Sequence, residues 1–448
     1  METAAATHES APPDRSVLDR LLALLAPVRA GESATALILA ANVFLLLGAY
    51  YILKTVREPL ILDQPNGALI KSRATGFQAI LFLIVVPLYS LIASRFNRMK
   101  LIGAVTLFFI ANLAMFHAAG SAGLAVGIPF FLWVGIFNML VVAQFWAFAN
   151  DIYSEEEGRR LFPIVGVGAS LGAWVGSTVV GRLSKQMDPF ELMLLAAAVL
   201  GVCLALTYWV HTRESHRAGH AKAAVETMDK RGGFQLVMGN RYLRLIAALV
   251  LLFTCVNSVG EYMVGRFVAE QAAAIPAETR KQFIAGFYGD YYSWVNLVGF
   301  LLQTFVVSRL FQWIGVGGAL FVLPLIATGG YAMLAFMPVL GVVRVAKILE
   351  NATDYSLNNT VRHALFLPTS REAKYKGKAA TDTFFVRAGD LLQTGVVDIG
   401  TRFLALGVSG FAVLNLGLVS MWVALAVAIY REHRRLSSSS SPDSTARG

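Results

Sequence analysis

Residues 49–62 read AYYILKTVREPLIL. Lys54, Arg57 and Glu58 fall within five positions of an otherwise apolar run, and PLIL then resumes the apolar pattern. A charged side chain at mid-membrane costs at least ~2.5–3.5 kcal/mol on insertion scales, so it normally faces a partner or a water-filled cavity. Two readings compete. Either the first span ends near Leu53 and the charges snorkel to the interface, or the helix runs on and turns its charges inward. Lys54 and Glu58 stand four apart and could pair on one helix face, with Arg57 next to Glu58 in the chain.

The rest of the chain sets the context for this segment. Of 448 residues, 56% are hydrophobic and 15% charged, with a mean hydropathy of +0.60; soluble globular chains run near 25% charged. Apolar runs of about 20 residues, enough to cross a ~30 Å hydrocarbon core, recur at 34–62, 74–94, 99–119, 122–150, 162–183, 189–211, 243–264, 286–311, 314–335, 338–361, 379–402 and 407–430. The expectation is an all-α polytopic membrane protein of twelve transmembrane helices. Residues 14–28, DRSVLDRLLALLAPV, form a short amphipathic stretch expected to lie on the membrane surface. No cleavable leader is read there. Cys203 and Cys255 both sit inside spans, so no disulfide framework or CxxC metal site is expected, and no cofactor.

The net charge of +10 is a topology signal. With an even number of spans, the side carrying both termini holds 25 of the 38 lysines and arginines. The opposite side holds eight, among them Lys71 and Arg73, and five more (Lys54, Arg57, Arg344, Lys347, Arg387) lie in spans. The positive-inside rule makes that first side cytoplasmic, which argues against a nucleic-acid surface and for an inner-membrane location. The longest internal hydrophilic stretch, 211–244, divides the spans six and six. Its His211, His216 and His220 lack clustered acids or cysteines, so a solvated linker is the better reading than a metal site. The organisation expected is an N-terminal segment (1–33), a six-helix bundle (34–211), a cytoplasmic loop (212–242), a second six-helix bundle (243–430) and a cytoplasmic tail (431–448). The turn ASRFNRMKLIGA (93–104) has a counterpart in VSRLFQWIGVGG (307–318), and Arg95, Arg98 and Lys100 keep an Arg-x-x-Arg-x-Lys spacing. This arrangement resembles the major facilitator architecture, in which two bundles rock about a midplane site; Ser94 stands where that turn usually has Asp. The three bases would then act in gating.

Further charges lie in later spans. In VVRVAKILENATDYSLNNTVRH (342–363), a 100° step places Arg344, Lys347, Asn351, Asp354, Asn358 and Arg362 within roughly an 80° arc. Glu350 borders it. A polar stripe lining a cavity and a cytoplasmic amphipathic helix are the alternatives. Span 11 adds Asp382, Arg387, Asp390 and Asp398, span 7 adds Asn257 and Glu261, and Asp290 opens span 8. In FPIVGVGASLGAWVGSTVVG (162–181), the four-residue spacing of Gly168, Gly172 and Gly176 reads as close helix packing. No βαβ unit surrounds these glycines, so a dinucleotide site is excluded.

Three segments together, YYILKTVREPLIL (50–62), FWAFANDIYSEEEGRRLFPIVGVGASLG (145–172) and KYKGKAATDTFFVRAGDLLQTG (374–395), resemble the ATP/ADP antiporter (nucleotide transporter) family of plastids and intracellular bacteria. VNSVGEYMVGRF (256–267) and FYGDYYSW (287–294) extend the resemblance over nearly the whole chain. It implies nucleotide exchange across a membrane, the family's span-1 lysine falling on Arg57 and its span-7 glutamate within one residue of Glu261. The chain departs from the pattern at Val134, where the family has an acid, at Asp390, where it has a lysine, and at Asp354, where it usually has a base.

The expectation is therefore a secondary transporter working by alternating access, monomeric in its bilayer, on an anionic, phosphorylated or carboxylated solute. Lys54, Arg57, Arg344, Lys347 and Arg387 would supply positive charge, arginine suiting bidentate oxyanion contacts. Asn351 would line the site, and Glu58, Glu261, Asp290, Asp354 and Asp390 would hold the bases or carry coupling protons. Competing readings are a proton-coupled facilitator of another solute and a membrane scaffold or sensor without a transport cycle. A surface-tethered enzyme fits poorly, because no large soluble domain is present to hold a catalytic site.

Overall fold

A computed structural model describes residues 27–29, 32–93, 95–214 and 232–439. Most of the amphipathic stretch, His216, His220 and the end of the tail lie outside the described residues. Within them every regular element is helical. In chain order these are α1 (Ser33–Leu62), α2 (Gly67–Ala93), α3 (Arg98–Ser121), α4 (Gly127–Ile152), α5 (Glu155–Leu183), α6 (Pro189–Glu214), the short α7 (Gly233–Gly239) and α8 (Arg241–Ala273). Then come α9 (Ala277–Leu301), α10 (Val307–Ala319), α11 (Val322–Phe336), α12 (Leu340–Thr353), α13 (Asn359–Leu365), the one-turn α14 (Lys378–Ala380), α15 (Val386–Arg402) and α16 (Val408–Ser439). Single π-turns join α9 to α10, α12 to α13 and α14 to α15.

Side chains set the ends of these rods. Ser154 accepts from the Glu157 amide while the Glu157 carboxylate accepts from Ser154, a reciprocal cap that starts α5. Asn97 caps α3 and Asn240 caps α8 in the same sense. Asn66 closes the tight α1–α2 turn at φ 58°, a conformation asparagine tolerates better than most residues.

Among the described residues, nine helical runs are long and apolar enough to cross a bilayer. The other three expected spans coincide with helices that fall short by those measures. Helix α11 has only 15 residues, and the rods 340–365 and 373–402 carry too many charges.

Two hydrophobic cores organise the rods. Phe109, Phe130, Phe137, Leu39 and Met193 centre the first, among α1 and α3–α6. Tyr288, Tyr331, Phe411 and Trp422 centre the second, which lies mainly among α8–α16 and takes in Tyr51, Ile61, Ala68 and Phe131 of the first half. The outward faces are apolar (Ile84, Phe108, Trp209, Phe336, Met421), as a lipid-facing surface must be. Glycines bring α1 and α5 into backbone contact. A Cβ on Gly168, Gly172 or Gly176 would overlap the carbonyl of Ala40, Phe44 or Gly48 respectively, whereas Gly166 has open space. Gly289 of α9 meets the Gly181 backbone of α5 in the same way, where the two halves touch.

At the chain's N-terminal end, Arg160 grips Glu32 with two bonds of 2.8 and 2.9 Å and donates to the Pro27 carbonyl at 2.6 Å. The Arg160 hydrogen bond, helped by Arg29, holds the Glu32 carboxyl below its ordinary pKa despite partial burial. A depressed folded-state pKa contributes stability that is present above the ordinary carboxylate value and lost as pH falls through the folded one. Arg160→Gln should therefore cost about 1 kcal/mol at neutral pH, and the difference should shrink in acid. Thermal unfolding of both proteins across pH 3–7 checks this.

Candidate functional site

Helix α1 does not stop at Leu53. It continues to Leu62, and Lys54 and Glu58 are buried within it, which removes the snorkelling reading. The expected Lys54–Glu58 pair is not formed either. Glu58 is fully shielded from solvent and accepts from Arg57 Nε at 3.1 Å, Lys71 Nζ at 2.6 Å and the Tyr292 hydroxyl at 3.4 Å. Lys54 Nζ instead lies 4.3 Å from the centre of the Tyr292 ring and 4.9 Å from that of Tyr51, with the Tyr355 hydroxyl at 3.5 Å. Such cation–π contacts are worth ~2 kcal/mol or more when desolvated. The Arg57 guanidinium stacks 4.5 Å over Phe131.

Lys71 is the main correction to the charge map. Expected at the membrane surface opposite the termini, it is buried one turn inside α2, which begins at Gly67 rather than near 74. The polar run at 63–73 lowers the local hydropathy and so resembles a loop. Pro65 and Asn66 at the turn are exposed, but Lys71 and Ser72 are buried against Glu58 of α1 and Gln393 of α15. Arg73 likewise reaches Asp398 of α15 at 2.9 Å.

The second half contributes a matching network. Glu261 accepts from the Tyr291 hydroxyl at 2.9 Å and from Asn351 Nδ2 at 2.7 Å. Lys347, wholly buried, donates to the Asn257 carbonyl, and its Nζ lies 3.1 Å from Glu350 and 3.9 Å from Glu261. Tyr331 donates to Glu350 at 2.9 Å. Gly260 makes room for this, since a Cβ there would collide with the Tyr331 hydroxyl and crowd Lys347.

Between the two networks lies a cavity with an empty volume of about 740 Å³. Lys54, Arg57, Lys71, Ser72 and Phe131 line it from one half, and Asn257, Ser258, Glu261, Tyr292, Asn351, Tyr355 and Gln393 from the other. With Glu58 just behind the wall, three cations face two carboxylates, an excess of one positive charge before Lys347 and Glu350 cancel each other. A larger space of about 1430 Å³, sharing Ala68 and Tyr262 with the cavity, leads to the end of the molecule that carries the 62–67 turn.

The stripe of α12–α13 does not act as one face. Asn351 and Tyr355 line the cavity, but Lys347 is sealed behind them and Arg344 stacks 5.4 Å over Phe287. Asp354 is buried and accepts from Asn358 at 2.8 Å. The π-turn Asp354–Asn358 rotates Arg362 and the rest of α13 away from the 100° wheel, whereas Arg344 and Lys347, which precede it, are drawn off by Phe287 and by Asn257 and Glu350. Asp290 is exposed beside Gly181 and away from the cavity. Arg387 and Asp390 form a 2.9 Å pair one layer back, and Ser258 of the lining donates to Asp390. Arg95 in the α2–α3 turn and Lys100 in the first turn of α3 stay exposed, while Arg98 pairs with Asp151 and donates to the Ala147 carbonyl at 2.7 Å. Asp151 thus supplies the acid that position 94 lacks. The tyrosines and Gln393 escaped the sequence reading, because one aromatic or amide among many carries no signal until the fold brings it to the cavity.

The helical architecture with a polar cavity between two halves is that of a multi-pass membrane protein. Its backbone is similar to the solved structures of the POT family transporter PepTSo (TM-score 0.64, 11% identity, 90% of this chain and 98% of that one) and the nucleoside transporter NupG (TM-score 0.57, 12% identity, 88% and 98%). At such identities the likeness speaks for a major-facilitator-like fold alone. The model of the TLC ATP/ADP transporter family matches residues 130–433, and the chain belongs to that family. It is 25% identical over 336 residues to ADP,ATP carrier protein 1 of Chlamydia trachomatis (63% of this chain, 61% of that protein). It is 24% identical over 342 residues to the chloroplastic ADP,ATP carrier protein 2 of Arabidopsis thaliana (67% and 53%). The chain thus spans about three-fifths of the length of the first of these relatives and about half of the second.

Proposed function

We propose that this chain is an alternating-access antiporter for nucleotides or a closely related phosphorylated metabolite, seated in the inner membrane with both termini cytoplasmic and twelve spans in two six-helix bundles. One observation carries the reading. The cavity is built by both halves and collects three cations against two carboxylates, each cation held by an aromatic ring or an acid until a solute arrives. A phosphate-bearing solute has the complementary charge, and Lys71, Arg57 and Lys54 could exchange their present contacts for its oxygens without leaving the cavity wall. The names of the relatives support the nucleotide as the solute class. Val134 stands in the apolar core beside Phe130 and Phe137, so the family's acid at that position has no counterpart in the cavity.

The test is binding and counterflow in proteoliposomes with nucleotides, phosphate esters and carboxylates. Arg57→Gln and Lys71→Gln should each weaken nucleotide binding roughly 10- to 150-fold, the loss of one charge-assisted hydrogen bond of ~1.5–3 kcal/mol. Combined, they should be non-additive by ~0.5–3 kcal/mol, because they share a ligand and Glu58. Arg95→Gln should change turnover and spare affinity. Strictly additive losses would mean that Arg57 and Lys71 do not share one solute, and binding and counterflow with none of the solutes would leave a scaffold or sensor as the better reading.

A further inference from the structure

A second cation-lined pocket lies at the far end of the α12–α13 rod. Its empty volume is about 530 Å³, and Asn359, Arg362, His363, Lys378, Asp382 and Val386 line it. It shares no lining residue with the central cavity. Its hydrogen-bonding groups are out of balance. Arg362 makes no hydrogen bond or ion pair among the described residues, although its Nε is shielded from solvent and its guanidinium is backed by the Phe253 ring at 5.9 Å. The Asn359 side chain is likewise without a partner there. Asp382 is the one carboxylate among the lining residues, and Lys378 takes one of its oxygens at 2.6 Å. What remains is a fork of guanidinium donors, an amide and the spare protons of Lys378, two cations set against the single carboxylate of Asp382. Such a set fits a ligand that only accepts and carries negative charge, and the guanidinium fork matches a phosphate in particular.

We infer that this pocket is a second anion site, holding a phosphate group at the end of the protein that carries the 365–373 connection. The inference stands on its own residues and does not depend on the solute assigned to the central cavity. Phosphate chemistry reaches this end of the molecule either on a free solute or on an anionic lipid headgroup, basic pockets beside membrane helices being known to suit the latter.

Asn359 is exposed and both native cysteines are buried, so Asn359→Cys gives one accessible thiol in the full chain. Its labelling by a hydrophilic maleimide would be timed in nanodiscs of neutral phosphatidylcholine, with and without inorganic pyrophosphate. Discs containing phosphatidylglycerol, without pyrophosphate, form the second arm. Labelling should slow by about five-fold or more in at least one arm, as ~1 kcal/mol of occupancy implies. The protection should vanish with Arg362→Gln, partly return with Arg362→Lys, and survive Arg57→Gln. Slowing by pyrophosphate assigns the site to a free phosphate, and slowing by phosphatidylglycerol assigns it to a headgroup. Unchanged labelling in both arms overturns the inference. So does protection that Arg57→Gln removes and Arg362→Gln keeps. Should Arg362→Gln fail to elute as folded protein, Arg362→Lys decides alone, since full protection without the fork would also sink it.

Discussion

Glu58→Ala should strip roughly 3–5 kcal/mol from the folded protein, the usual cost of breaking a buried ion pair from one side. The carboxylate is completely shielded and is shared by Arg57, Lys71 and Tyr292. Without it, two desolvated cations face each other with only a phenol between them. The same carboxylate ties α1 to α2 within one half and to α9 of the other, so the loss should be felt at both places. Thermal unfolding of purified protein measures it. Replacing the pair together, as Glu58→Leu with Lys71→Met, should recover much of the loss, because well-packed apolar side chains can substitute for a buried pair. A Glu58→Ala protein as stable as the parent would mean that water reaches the pair in the folded state, and that the site is wetter than its burial implies.

Gly172→Val should be comparably damaging for a different reason. The added Cβ would overlap the Phe44 carbonyl of α1, a backbone atom that cannot rotate aside. Overpacking costs ~1–3 kcal/mol where side chains can give way, and more where they cannot. The whole α1–α5 contact would have to open, because Gly168 and Gly176 hold the neighbouring turns against Ala40 and Gly48. Gly166→Val, on the same helix but with open space around it, should leave yield and unfolding temperature unchanged. Equal behaviour of the two variants would show that α1 and α5 are not pressed together in the membrane.

These two experiments address features of unequal legibility. The glycine packing could be read in the chain, since a four-residue repeat of small residues in an apolar run has few other uses. Span 1 could be read as charged, and Arg57, Glu58 and Glu261 could be picked out, because a charge in hydrocarbon is costly and so conspicuous. Lys71 could not be found this way. It sits in a polar stretch that looks like any membrane-surface turn, and only the start of α2 at Gly67 carries it inside. Lys347 shows the opposite error: it looks like a cavity residue, yet Asn257, Glu350 and Glu261 enclose it.

The amino-acid sequence by itself determined that this chain is a helical membrane protein, which of its spans carry charge, and to which family it is similar. Hydrocarbon imposes those features residue by residue: each apolar run and each misplaced charge has a transfer free energy of its own. The tertiary structure alone decided which charges pair, which are sealed away and which face the cavity. Glu58 chose Lys71, thirteen residues on in a neighbouring helix, over Lys54 one turn away. Such a choice depends on distances between helices, on ring faces that compete with carboxylates for the same cation, and on a π-turn that rotates half a helix. None of these quantities belongs to a single position in the chain.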